Sequence, residues 1–80
     1  MRKSLHTKAQ KVLQEALVAA RKAAGLSQHQ LAVRLRKPQS FIAKYERGER
    51  RLDLIEFLVI VRQLNGDTTD IIEQVAAAAE

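Results

Sequence analysis

Residues 25–51 read GLSQHQLAVRLRKPQSFIAKYERGERR and hold two of the three glycines, the single proline and seven of the fourteen Lys and Arg. Gly25 closes one helical pattern, as glycine does just beyond a C-terminal cap. Ser27 and Gln30 then have capping-box spacing, with Leu26 and Leu31 placed as the hydrophobic staple. A helix is therefore expected from about Gln28 to Leu35, turning Leu31, Ala32 and Leu35 inward. Pro38 suits the first turn of the next helix, where its missing N–H costs nothing. That helix is expected over about 38–47, with Ile42 and Tyr45 inward and Gly48 as its stop. Only Arg36 and Lys37 separate the two helices. Helices this short, joined this tightly, cannot lie antiparallel and must cross steeply.

The same boundary signals extend outward. Thr7 and Gln10 have capping-box spacing, and Val12, Leu13, Ala16, Leu17, Ala20 and Ala24 follow at helical period. Asp53 and Glu56 make a third box, stapled by Leu52 and Phe57, and open a helix to Leu64 that Asn65-Gly66 ends. Its core stripe is expected to be Leu54, Leu58 and Val61, with Ile55 and Val59 beside it. Asp67 to Asp70 start a last helix carrying Ile71, Ile72 and Val75. No segment alternates at period two over a strand's length. The expected fold is all-α, a single five-helix domain over residues 1–80. Residues 1–7 form a basic N-terminal arm, about 8–66 the core of the domain, and about 67–80 a C-terminal helix available for dimerisation.

Composition narrows the function. The chain is 46% hydrophobic and 29% charged, which is globular rather than disordered. It has no cysteine, so neither a disulfide framework nor a thiolate metal site is available. No apolar run approaches the length of a membrane span, and no signal-peptide core is visible, so a cytoplasmic protein is expected. The net charge of +5 is unevenly spread. Residues 1–51 carry thirteen Lys and Arg against Glu15, Glu46 and Glu49, a net +10, while residues 52–80 carry Arg62 against six acids, a net −5. Such a split suits one face for a polyanion and another for a different purpose. A glycine-rich phosphate loop, an HExxH motif and a pair of inward carboxylates are all missing, so the chain does not read as an enzyme. His6 and His29 stand far apart with no further ligands near them in sequence. They read as surface histidines, and neither a metal nor a cofactor is expected.

A steep pair of short helices is the helix-turn-helix arrangement, and GLSQHQLAVRLRKPQSFIAKYERGERRLD resembles the DNA-binding domain of the phage repressor/Cro (Xre-type) regulators. The likeness covers about residues 12–64: GLSQ, the LA of Leu31-Ala32, QS.I at 39–42 and YERGERR at 45–51 occur in order and at the family's spacing. It is similar also to short bacterial members of that family with the pattern RPQSF(V/I)SKYE.GERRLD, from bacteria, phages or mobile elements.

The resemblance implies that the third helix enters the major groove while the second crosses the DNA backbone. Carried over by position, Gln39, Ser40 and Lys44 are the base-reading candidates. Helical geometry also turns them away from Ile42 and Tyr45. Glutamine can bond adenine N6 and N7 together, and lysine can donate to guanine. Gln28, Lys37, Arg47, Arg50 and Arg51 are the phosphate candidates, which position without specifying. Lys44 suits a phosphate equally well, and Phe41 is expected to pack on the second helix rather than cover a sugar. The family also places an arginine late in its first helix against the glutamate that ends the recognition helix, here Arg21 and Glu46. In its inter-helix turn the family usually has glycine, where this chain has Arg36.

The function implied is a sequence-specific transcriptional regulator, a repressor first of all, bound to double-stranded DNA at a palindromic operator. Two other classes stay open. One is an antitoxin or restriction controller with the same domain and a toxin or other protein partner; the other is an adaptor that has lost DNA binding. One recognition helix reads too few base pairs to mark a genomic site, so a homodimer is expected. Its interface is expected at Ile71, Ile72 and Val75, with Ile55 and Val59 behind them; the rival arrangement folds this helix back onto the monomer's own core.

Overall fold

The computed structural model describes residues 7–79. The basic arm, apart from Thr7, and His6 lie outside the described residues. Five helices follow in order: α1 (Lys8–Ala23), α2 (Gln28–Leu35), α3 (Gln39–Glu46), α4 (Leu54–Gln63) and α5 (Thr68–Ala78). The described residues are all-helical, with turns between the helices.

The caps explain most of the boundaries. Ser27 Oγ accepts from the Gln30 N–H at 3.0 Å while Gln30 Oε1 accepts from the Ser27 N–H at 2.8 Å, a complete box. Asp53 and Glu56 close a second one at 2.7 and 3.0 Å. At Thr7 the cap is one-sided: the hydroxyl accepts from the Gln10 N–H, and Gln10 itself is buried. Each cap is worth about 1 kcal/mol. Pro38 sits one place earlier than expected, as the N-cap of α3, because its ψ of 153° is still extended. Gly25 and Gly48 have φ of +74° and +79°, the left-handed conformation that ends α1 and follows α3.

The core gathers Leu17 from α1, Leu31 and Ala32 from α2, Ile42 and Tyr45 from α3, Phe57, Ile60 and Val61 from α4, Leu64 just after it, and Ile71 from α5. Two expectations need correction. Of the expected stripe only Val61 is buried; Leu54 and Leu58 are 64% and 39% exposed, and α4 turns Phe57 and Ile60 inward beside Val61. This helix is apolar on nearly every side, so periodicity alone could not choose its buried face. The second concerns α5, which packs along α1 and belongs to the domain core. Ile71 is buried there, and Val75 packs against it. Ile71 is therefore unavailable as an interface residue, and Val75 is largely used within the monomer. Ile72, at 46% exposure, keeps an outward face. The reason is size: so small a domain needs the fifth helix to cover α1.

Candidate nucleic-acid interface

α2 and α3 pack on each other across the turn at Arg36 and Lys37. Arg36 occupies φ 57°, ψ 44°, a left-handed conformation in which a side chain is disfavoured by roughly 1 kcal/mol. Its N–H and that of Lys37 return to the carbonyls of Val33 and Ala32, at 3.1 and 3.0 Å, so the turn is closed by hydrogen bonds. With Ile42 and Tyr45 buried, α3 leaves Gln39, Ser40 and Lys44 exposed to solvent, Gln39 on the flank beside α2.

Under this surface lies a polar cluster. Arg21 Nε and Nη2 donate to the two carboxylate oxygens of Glu46 at 2.8 and 3.1 Å, and Arg21 Nη1 donates to the Leu26 carbonyl at 2.8 Å. The paired side chains are only 11% and 6% exposed. That carboxylate raises the guanidinium pKa still further above its ordinary value. Gln28 Nε2 donates to Glu46 Oε1 at 2.8 Å, and Gln39 Nε2 lies 3.4 Å from Gln28 Oε1. α1, α2 and both ends of α3 are thus joined through one carboxylate. Gln14 of α1 adds a bond from its Nε2 to the Glu46 carbonyl at 3.3 Å, passing beside Gly48. A Cβ at Gly48 would come within 2.8 Å of the Gln14 amide oxygen.

The cations flanking α3 differ in their freedom. Lys37, Lys44 and Arg51 are exposed. Arg47 donates twice to Glu49, at 3.0 and 3.0 Å, on the open surface, and this pairing lowers the Glu49 carboxyl below its ordinary pKa. Arg50 is bound more firmly. It donates to both oxygens of Glu56 at 2.9 and 2.8 Å and to the Arg51 carbonyl at 2.8 Å. Together with the capping N–H of Asp53, Arg50 holds the Glu56 carboxyl down to about 2. Phe41 completes this corner. Its ring meets Tyr45 edge-on at 5.5 Å, with the Arg50 guanidinium 4.8 Å and the Lys37 ammonium 5.4 Å from its centre. It is half-buried against the core, and α4 as well as α2 borders it.

The sequence-predicted residues therefore fall into three groups. Gln39, Ser40 and Lys44 share the outer side of α3, with Gln28 against its first turn. Lys37, set over the Phe41 ring, and Arg51 flank that side without carboxylate partners, whereas Arg47 and Arg50 already have them. Ile72 and Val75 stand away from it on α5. Sequence reasoning missed the counter-charges Glu49 and Glu56. The two-residue spacing of Arg47 and Glu49 was a signal that could have been used; the Arg50–Glu56 pair, linking a loop to a helix start, had none.

The pattern that defines the helix-turn-helix family matches residues 17–71. The fold is shared with an XRE-family like protein from Pseudomonas syringae pv. tomato, at 42% identity and a TM-score of 0.79, covering 86% of this chain and 84% of that one. It is also shared with the clp gene regulator ClgR from C. glutamicum, at 20% identity and a TM-score of 0.76, covering 88% and 90%. The second likeness speaks for the fold alone. No curated protein matches the chain in sequence. A match over most of the chain, on a fold that sets α2 and α3 around a polar, positively flanked surface, makes this protein a member of the Cro/C1-type (XRE) helix-turn-helix family of DNA-binding transcriptional regulators.

Proposed function

We propose that the protein is a sequence-specific repressor that inserts α3 into the major groove of a palindromic operator and works as a homodimer. The observation that carries this reading is the exposed row of Gln39, Ser40 and Lys44, flanked by Lys37 and Arg51. Gln39 and Ser40, in the first turn of α3, are suited to base edges, and Lys44 to guanine or a phosphate. Lys37 and Arg51 neutralise phosphates and Gln28 donates a hydrogen bond to one, while Arg47 and Arg50 reach phosphates by exchanging their Glu49 and Glu56 partners.

The dimer reading shifts with the buried position of Ile71. Leu54, Ile55, Leu58 and Val59 on α4 and Ile72 on α5 are exposed large apolar side chains of the acidic part of the chain. Exposed apolar surface of this kind favours a protein contact, and α4 replaces α5 as its main element. Two copies related by a dyad read half-sites about 34 Å apart.

Selection of bound duplexes from a random library, at stated salt, tests the proposal. A palindromic consensus is expected, with two protomers per site by sedimentation. Failure to enrich any sequence would remove specific DNA recognition, and one protomer per palindrome at saturation would remove the dimer. A Leu54→Lys, Leu58→Lys double variant separates the two, since it should lose the dimer while each monomer keeps α3 intact.

A further inference from the structure

Phe41, in the first turn of α3, stands between two cations. Its ring meets the buried Tyr45 edge-on, at 5.5 Å and an angle of 72°, so the core fixes its plane. The Lys37 ammonium lies 5.4 Å from the ring centre and the Arg50 guanidinium 4.8 Å, both close enough for attraction to the ring. Lys37 comes from the turn before α3 and Arg50 from the loop after it. Alone on one ring the two would repel each other. Glu56 offsets this: it takes bonds of 2.9 and 2.8 Å from Arg50, and both Arg50 and Lys37 favour its ionised form. Arg50 is thus held by Glu56 as well as by the ring. Lys37 has no carboxylate partner among the described residues, so the ring is what holds it.

A lysine side chain gives up rotamer freedom when it is fixed on a phosphate, and only its ordered fraction is ready to bind. Contact with a ring raises that fraction before DNA arrives. A phosphate is the same at every base pair, so the gain carries no sequence preference. We infer that Phe41 is a positioning residue for DNA binding: its ring holds the Lys37 ammonium ready for a backbone phosphate and so raises affinity for all sequences alike. This rests on the reading of Lys37 as a phosphate contact. Two other roles for the ring lead to different results. A ring that only packs beside Leu35 and Ile60 would alter stability and leave binding alone. A ring that meets a thymine methyl would alter sequence preference.

The test is a double-mutant cycle in DNA affinity, with wild type, Phe41→Leu, Lys37→Gln and the double variant, each first checked for native helicity and melting. Leucine keeps an apolar contact with the core but has no ring face, and glutamine keeps part of the Lys37 stem without its charge. Binding is measured to the selected site and to a random duplex of the same length, over a range of salt. Phe41→Leu should weaken both duplexes by the same factor, about two- to fivefold, the size of an exposed cation–π contact. Lys37→Gln should weaken both and lower the salt slope by about one. In the Lys37→Gln background, Phe41→Leu should cost little more, because Arg50 keeps its hold on Glu56. A Phe41→Leu loss of equal size in both backgrounds overturns the inference and leaves Lys37 as a phosphate contact. So does a folded Phe41→Leu that binds both duplexes like wild type. A loss confined to the selected site also overturns it, and makes Phe41 a base contact. Unchanged affinity and slope in Lys37→Gln remove the phosphate reading of Lys37, and the inference with it. In the free wild-type protein, the ring current should shift the Lys37 ε-methylene protons upfield. Ordinary shifts there overturn the inference even if Phe41→Leu fails to fold.

Discussion

Removing the Arg21–Glu46 pair should reveal how firmly α1 is tied to the recognition unit. An 80-residue domain has a total stability of about 4–12 kcal/mol, at roughly 0.05–0.15 kcal/mol per residue. The pair is held by two hydrogen bonds of 2.8 and 3.1 Å between side chains 11% and 6% exposed. An open surface pair is worth under about 1 kcal/mol. A buried one costs about 3–5 kcal/mol when a single partner is removed, because the other charge is left without compensation. Arg21→Met and Glu46→Leu should therefore each lose about 3 kcal/mol. The double variant should lose clearly less than their sum, with a coupling of about 2 kcal/mol. Arg21 also bonds the Leu26 carbonyl, and Glu46 the Gln28 amide. Those losses occur in both the single and the double variant and cancel in the cycle. Urea unfolding of the four proteins at pH 7, followed by circular dichroism, measures the coupling, provided the denaturant slopes agree. A coupling below about 0.5 kcal/mol would place this pair with ordinary surface pairs and refute the reasoning.

Arg36→Gly should stabilise the free protein by about 1 kcal/mol, since φ 57° suits glycine, while weakening DNA binding if the arginine reaches a phosphate. A melting temperature that falls would show that Arg36 holds the turn in some other way. The Glu56 carboxyl is lowered from 4.5 to about 2, so the contribution of its pairing is complete above pH 5 and is lost as pH falls toward 2. Solvent screening limits it to about 1 kcal/mol, and Glu56→Gln should remove that acid-side slope, as stability measured from pH 6 to 2 would show. On DNA, Gln39→Ala should cost about 1–3 kcal/mol on the best site and relax one position per half-site. Arg51→Ala should instead weaken all sequences about equally and lower the salt slope by about one. Arg51 is the better probe here because Arg50 also braces Glu56. Equal losses on specific and random duplexes in both variants would contradict this division of roles.

The local chemistry of the chain was legible in its sequence. Capping residues, glycines in left-handed turns and 3.6-residue periodicity act over three or four neighbours, so Ser27, Asp53, Gly25 and Gly48 marked their boundaries without any tertiary information. The outward row of Gln39, Ser40 and Lys44 followed from the same period once Ile42 and Tyr45 were inward. What lay beyond reach depends on which surfaces meet. α4 is apolar almost all round, and only its packing within the domain set Phe57 and Ile60 beside Val61 in place of Leu54 and Leu58. α5 has apolar residues on more than one face, and its docking along α1 buried Ile71 while leaving Ile72 outside. The carboxylates that occupy Arg47 and Arg50 were invisible as partners, because a charge count adds residues without knowing which of them touch. Arg21 and Glu46 stand twenty-five positions apart, and Gln28 and Gln39 eleven. Their chemical types are written in the chain, but only folding set Arg21 and Gln28 on the one carboxylate of Glu46 and brought Gln39 beside Gln28.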